Sequence, residues 1–239
     1  MNEATESAWR GPCTIGGATA LVSVLLSLLT IVVFVTVGGP PDTAEETFTV
    51  LREGRLMGLL RLDLLSLLNL MLYYLTFFGL YAALRRTDGV HALLGTALVF
   101  VGVTLWIASH SAFSLMTLAD RFAAAATDAQ RSRFLAAGEA LMAADMWHST
   151  GALAGGVLIE CGALLISTLM LRSTAFSRPT AYVGLATHGL DLLQVLFGAF
   201  VPGVKPVVMA VAGPLYLVWF TLVGRRLLQL GRRAPDAGQ

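Results

Sequence analysis

The sequence predicts an all-α fold: a single-domain, polytopic membrane bundle of six transmembrane helices, with N- and C-termini on the cytoplasmic side. Three observations predict it. Hydrophobic residues make up 56% of the 239 residues and charged residues only 13%, where soluble domains carry roughly a quarter charged. Six apolar stretches are long enough for the about 20 helical residues that cross a bilayer. Arginines recur in every second loop between those stretches, as expected where cytoplasmic loops retain Lys and Arg.

The first stretch, 14–38, is TIGGATALVSVLLSLLTIVVFVTVG, stopped by Gly39-Pro40-Pro41. Its apolar run is longer than a signal-peptide core and its leader is not basic, so it reads as a span. The second, 56–84, closes at Arg85, Arg86 and the turn residues Thr87-Asp88-Gly89. The third covers 90–115 and the fourth 150–171; the fifth, 180–200, ends at Pro202-Gly203. The sixth is 206–228, where Pro214 predicts a kink. Before the fourth span, Thr127-Asp128-Ala129-Gln130 fits a capping box. It predicts an extra amphipathic helix on the outer side, either running on into the fourth span or bending near 149–151.

With six spans, Arg85 and Arg86, Arg172 and Arg178, and Arg225, Arg226, Arg232 and Arg233 all lie on one side. That side is the expected cytoplasm. The first outer loop, with Asp42, Glu45, Glu46 and Glu53, agrees; the outer segment 116–140 mixes Arg121, Arg131 and Arg133 with acids. Arginine outnumbers lysine fifteen to one, which suggests a bacterial coding sequence and hence an inner membrane. A net charge of +1 supplies no basic field for nucleic acid, so the expected partners are the lipid bilayer and an apolar small molecule. Cys13 and Cys161 cannot build a disulfide framework. Gly151 and Gly155 form a G-x-x-x-G that reads as packing inside the bundle; the oligomeric state stays open.

Ionisable side chains within the hydrocarbon cost about 2.5 to 3.5 kcal/mol on insertion scales, which makes each a candidate functional residue. At about 1.5 Å of rise per residue, Glu160 lies about 16 Å from the cytoplasmic surface, and His188 and Asp191 about 13 and 18 Å from it. Asn69 comes out near the same level, so these residues, with Gln194, are expected to form a mid-membrane polar layer. His188 and Asp191, three apart, share a helix face; the carboxylate would hold the imidazole tautomer. Glu160 among aliphatics suits a proton-carrying general acid. The plainer alternative is that all three merely join helices.

Asp63, His110, Asp145 and His148 fall toward the outer face. Their imidazoles and carboxylates suit a divalent metal, but no ligand motif such as H-E-x-x-H is present, and the expectation is a solvated or paired group with neither metal nor cofactor. Arg61 reads as an interfacial anchor or a partner to Asp63. Trp106, Trp147, Tyr182 and Trp219 read as belt or packing aromatics.

The stretches LDLLSLLNLMLYYLTFFGLYAALRR (62–86), LWIASHSAFSLMTLADRFAAAATDAQRSRFLAAGEAL (105–141) and LLISTLMLRSTAFSRPTAYVG (164–184) carry a resemblance. The chain resembles the domain of unknown function 4386 family of bacterial six-span membrane proteins, from the second span onward. The resemblance implies an architecture and no reaction. It places Asp63, Asn69, Asp120, Arg121 and Glu139 at the family's polar positions, whereas Asp145, Glu160, His188 and Asp191 exceed its usual charge.

The leading functional expectation is a membrane-embedded enzyme acting on a lipid or isoprenoid by protonation, isomerisation or proton-initiated cyclisation. Glu160 would donate the proton and the His188/Asp191 pair accept it, with Asn69, Gln194, Asp63, His148 and Asp145 as pocket residues. No aspartate-rich diphosphate-binding motif occurs, which disfavours ionisation-dependent prenyl chemistry. The alternatives are a proton-coupled small transporter, which lacks the expected internal repeat, and a non-catalytic sensor or accessory protein.

Overall fold

A computed structural model describes residues 8–145, 148–198, 200–201 and 203–232; Trp147, Pro202 and Arg233 lie outside them. The described elements are all helical: α1 (Arg10–Thr36), α2 (Ala44–Glu53), α3 (Arg55–Arg61), α4 (Leu64–Leu84), α5 (Gly89–Ala108), α6 (Ala112–Ala123), α7 (Asp128–Ala143), α8 (Thr150–Arg172), α9 (Arg178–Phe197) and α10 (Val204–Arg232). Five helical stretches among the described residues, Arg10–Thr36, Leu64–Leu84, Gly89–Ala123, Thr150–Arg172 and Val207–Arg232, are long and apolar enough to cross a membrane. That makes this a multi-pass membrane protein. Helix α9 has the length, 20 residues, but spends His188, Asp191 and Gln194 in its apolar run and is not among the five.

Several expected elements are divided. The stretch 56–84 is two helices, because the chain leaves helical geometry at Leu62, which has φ −81 and ψ −104. The stretch 90–115 is interrupted between α5 and α6, where Ser109 and His110 turn their side chains back to the carbonyls of Leu105 and Trp106. Such local bonds compete with continuation of the helix. The helix capped at Thr127 does not run on into α8: α7 ends at Ala143 and α8 begins at Thr150, with the Ser149 hydroxyl accepting from the Ala152 amide. The segment after α1 holds an unexpected helix, α2. Thr43 caps it by accepting from the Glu46 amide, while Glu46 accepts from the Asp42 amide. The box at Thr127 forms similarly: its hydroxyl accepts from the Gln130 amide and Gln130 accepts from that of Ala126. Helix α10 continues through Pro214.

The chain divides into two compact units. The first comprises the described parts of Met1–Leu25, Leu70–Thr104 and Ala154–Gln239. Its helices meet backbone to backbone at glycines. A β-carbon on Gly16 would lie 2.8 Å from the Gly79 α-carbon, and one on Gly102 2.5 Å from the Gly155 carbonyl oxygen. Such close approach is how helices pack where lipid removes the hydrophobic drive between them. Gly155 therefore serves packing within the chain.

The second unit is Leu26–Asn69 with Leu105–Leu153. Its core joins Ala44, Phe48 and Leu51 of α2, Leu59 of α3, and Ala112, Leu115 and Ala119 of α6. Leu135, Leu141 and Met142 of α7 pack against it. Glu139 accepts a 2.8 Å bond from the Ala44 amide, so α7 caps the start of α2.

Candidate functional site

Three helices of the first unit bring the site together: α8 supplies Glu160, α9 supplies His188 and Asp191, and α10 supplies Tyr216. Helix α9 is set by Ser177, whose hydroxyl accepts from the Thr180 amide, with Pro179 in the first turn where a missing N–H costs nothing. From that start, Ser177, Thr180, Gly184, His188 and Asp191 follow at spacings of three and four and form one face. The buried members of that face include Thr180, Gly184 and His188.

His188 is fully buried and Glu160 is 2% exposed, so neither is open to lipid or bulk solvent. Their contact is His188 Nδ1 to Glu160 Oε2, at 2.7 Å. The Tyr216 hydroxyl lies 2.9 Å from Glu160 Oε1 and 3.0 Å from Asp191 Oδ2. Four groups thus form one chain, Asp191–Tyr216–Glu160–His188. Around it, the His188 ring stands edge-on to Tyr216 (5.3 Å, 90°) and to Trp219 (4.6 Å, 86°). Phe220 lies against Trp219, and Tyr73 against Phe220, each at 5.0 Å.

Counting hydrogens constrains the cluster. A phenol has one proton to donate, yet Tyr216 is bonded to two carboxyl groups. Both bonds form only if one carboxyl carries a proton and donates it to the phenol oxygen. With Asp191 in that role, Tyr216 donates to Glu160, and one further proton sits on the Glu160–His188 bond, on either partner. The cluster is then neutral overall, the arrangement that burial in a low dielectric favours. It can take a proton at one end and release one at the other, each step moving a proton along an existing hydrogen bond.

The sequence reading located three members of this chain but not its connections. Asp191 does not hold the imidazole; Glu160 does, because α8 delivers a carboxylate to Nδ1 while Asp191 turns to the phenol. Tyr216 was missed. The depth argument that singled out Glu160 also finds it, since Tyr216 stands twelve residues before the end of the sixth stretch, about 18 Å at helical rise.

The remaining expected site residues make other bonds. Asn69, in the second unit, donates to the Ser27 hydroxyl at 3.3 Å. Gln194 offers its backbone carbonyl to the Gly198 amide, ending α9. The expected outer group does not converge. Asp63 accepts from the Ser111 and Ala112 amides at 3.1 and 3.4 Å, a carboxylate at the start of α6 that supplies the cap Ser111's own side chain does not. Asp145 pairs with His148 at 2.9 Å. His110 turns to the Trp106 carbonyl. Among the described residues, no three His, Cys, Asp or Glu side chains gather as a metal site. Arg61 donates twice to the Gly39 carbonyl rather than to Asp63, because Gly38, with φ 109, turns the chain back over the guanidinium. An open cleft in the second unit, lined by Ser114, Thr117, Leu118, Arg121, Ala137 and Leu141, holds one charged group and no acid–base pair.

Trp219 is fully buried packing, whereas Tyr182 is exposed as a belt residue would be. Both cysteines are free.

No family model, curated protein or solved structure matches the chain.

Proposed function

We propose that this is a six-span protein of a bacterial cytoplasmic membrane, with both termini inside, that performs acid–base chemistry on a lipid or isoprenoid. The observation that carries this reading is the Tyr216 hydroxyl held between two carboxyl groups, one of them bonded to a buried imidazole. A neutral substrate dissolved in the bilayer needs a proton donor and an acceptor in a dry setting, and this cluster holds both. Asp191 and Tyr216 are half-buried while Glu160 and His188 are enclosed. Asp191 with Tyr216 is accordingly the end that meets substrate, and Glu160 with His188 the proton store behind it. Protonation, isomerisation or proton-initiated cyclisation are the reactions this arrangement serves. Helix α9, 20 residues and about 30 Å long, supplies the sixth span once its His188 and Asp191 are paired inside the bundle.

The test is Glu160→Gln, which keeps the shape and removes the transferable proton, in a producing strain. Lipid extracts should lose one product and gain its precursor. Unchanged extracts with normal protein levels exclude the enzyme.

A second reading, a proton-coupled carrier, is favoured by Pro214, which removes a backbone donor two residues from Tyr216 in the same helix and gives that helix a hinge. It requires solute uptake into liposomes driven by a pH gradient and abolished in Glu160→Gln.

A further inference from the structure

Beside the proton chain lie three more polar atoms with no partner among the described residues: His188 Nε2, Trp219 Nε1 and Ser167 Oγ. Their residues are each 0% exposed. Buried polar atoms in native proteins are nearly always bonded, so three orphans in one place call for a common explanation. The place is common. A β-carbon on Gly184 would run into both Ser167 Oγ and Trp219 Nε1, and His188 is one helical turn from Gly184, its ring 4.6 Å from that of Trp219. Ser167 lies two turns along α8 from Glu160, on the same face.

The chemistry of the three atoms is specific. The indole N–H only donates, and in the neutral cluster His188 Nε2 also carries hydrogen, since Nδ1 is engaged with Glu160. The serine hydroxyl donates or accepts. Two fixed donors and one adaptable hydroxyl match a single neutral oxygen with two lone pairs and a hydrogen to give. Three bonds is the usual complement of a buried water, and full enclosure by protein admits nothing larger.

We propose that Ser167, Trp219 and His188 bind one water molecule, which accepts from Trp219 Nε1 and His188 Nε2 and donates to the Ser167 hydroxyl. This rests on the acid–base reading of the cluster and extends it to the far side of the imidazole: the water holds hydrogen on Nε2, so that Nδ1 stays the acceptor for the Glu160 proton. When that proton moves, the Glu160 Oε2–H bond breaks and a bond from Nδ1 to that hydrogen forms, leaving a Glu160 carboxylate beside an imidazolium whose Nε2–H the water still accepts. The reverse step restores the Glu160 proton. Gly184 is glycine because a β-carbon there would collide with Ser167 and Trp219 themselves.

The experiment is infrared spectroscopy of the full chain in lipid nanodiscs, exchanged between ordinary water and H2-18O. One O–H stretching band of a bound water should shift with the isotope in the wild type. It should be lost in Trp219→Phe, which removes one donor, and in Gly184→Ala, which removes no polar group and displaces Ser167 and Trp219. Absence of an isotope-sensitive band in the wild type, or its persistence in both variants, overturns the proposal. The band reads the resting protein and needs no turnover. An intact band with silent Glu160→Gln extracts removes the acid–base reading alone, and a missing band with altered extracts removes the water alone.

Discussion

Tyr216 is the residue on which the cluster turns, because its hydroxyl touches both carboxyl groups. Replacing it with Phe leaves Glu160 and Asp191 without their shared partner in a setting where an unsatisfied polar group costs about 1 to 3 kcal/mol. We expect Tyr216→Phe to lower thermal stability in detergent by that order and to reproduce the lipid profile of Glu160→Gln. Tyr74→Phe is the control: its hydroxyl bonds Thr104 at 2.6 Å, away from the cluster, so it should cost some stability and leave the lipids unchanged. The sequence marked Glu160, His188 and Asp191 through the expense of charge in hydrocarbon. It could not say which carboxylate faces the imidazole, since that depends on how α8 and α10 are rotated against α9, and apolar faces on every side leave that rotation unmarked.

At the scale of elements, the start of α7 was legible, whereas α2, capped in the same way at Thr43, and the breaks within the second and third stretches were not. Thr127 announces α7 by its own side chain and its neighbour three residues on, chemistry written within one turn. The breaks at Leu62 and at Ser109–Ser111 have no proline or glycine to announce them. Asp63 meets the Ser111 amide across 48 positions of sequence, beyond the reach of any local pattern. Asp88 shows what a local cap predicts. It precedes α5 and accepts from the His91 amide at 3.1 Å, a bond that, ahead of its contact with the His91 ring, holds its carboxyl below the usual 3.8. A group depressed on folding stabilises above its unfolded value and loses that contribution as pH falls through its folded one. Protection of the amides of 90–92, their exchange compared with that of the unfolded chain at the same pH, should therefore be greatest near neutrality and fall as pH drops below about 4. Asp88→Ser, a cap without charge, should remove that dependence; if the fall persists in it, Asp88 is not the cause.

For the whole molecule, the arginines after the second, fourth and sixth stretches make a definite topological prediction. Reporter fusions at 87 and at 174 should both report the cytoplasm, and one at 126 the outer side; an outer report from 87 or 174 excludes six spans with internal termini. The membrane character was settled by composition alone, because about 20 apolar residues in a row must be covered by lipid or protein whatever the arrangement. Helix α9 is the informative exception. It is too polar to be counted by its hydropathy, and it is polar because it carries His188 and Asp191. By itself the sequence determined the helical class, the apolar spans and the presence of costly charges within them. Only the tertiary structure decided that Glu160, His188, Asp191 and Tyr216 share one proton chain while Asp63, Asp145 and His148 go to separate partners. Cost is a property of a residue in its own segment, whereas pairing depends on helices brought together from 28 and 56 positions away.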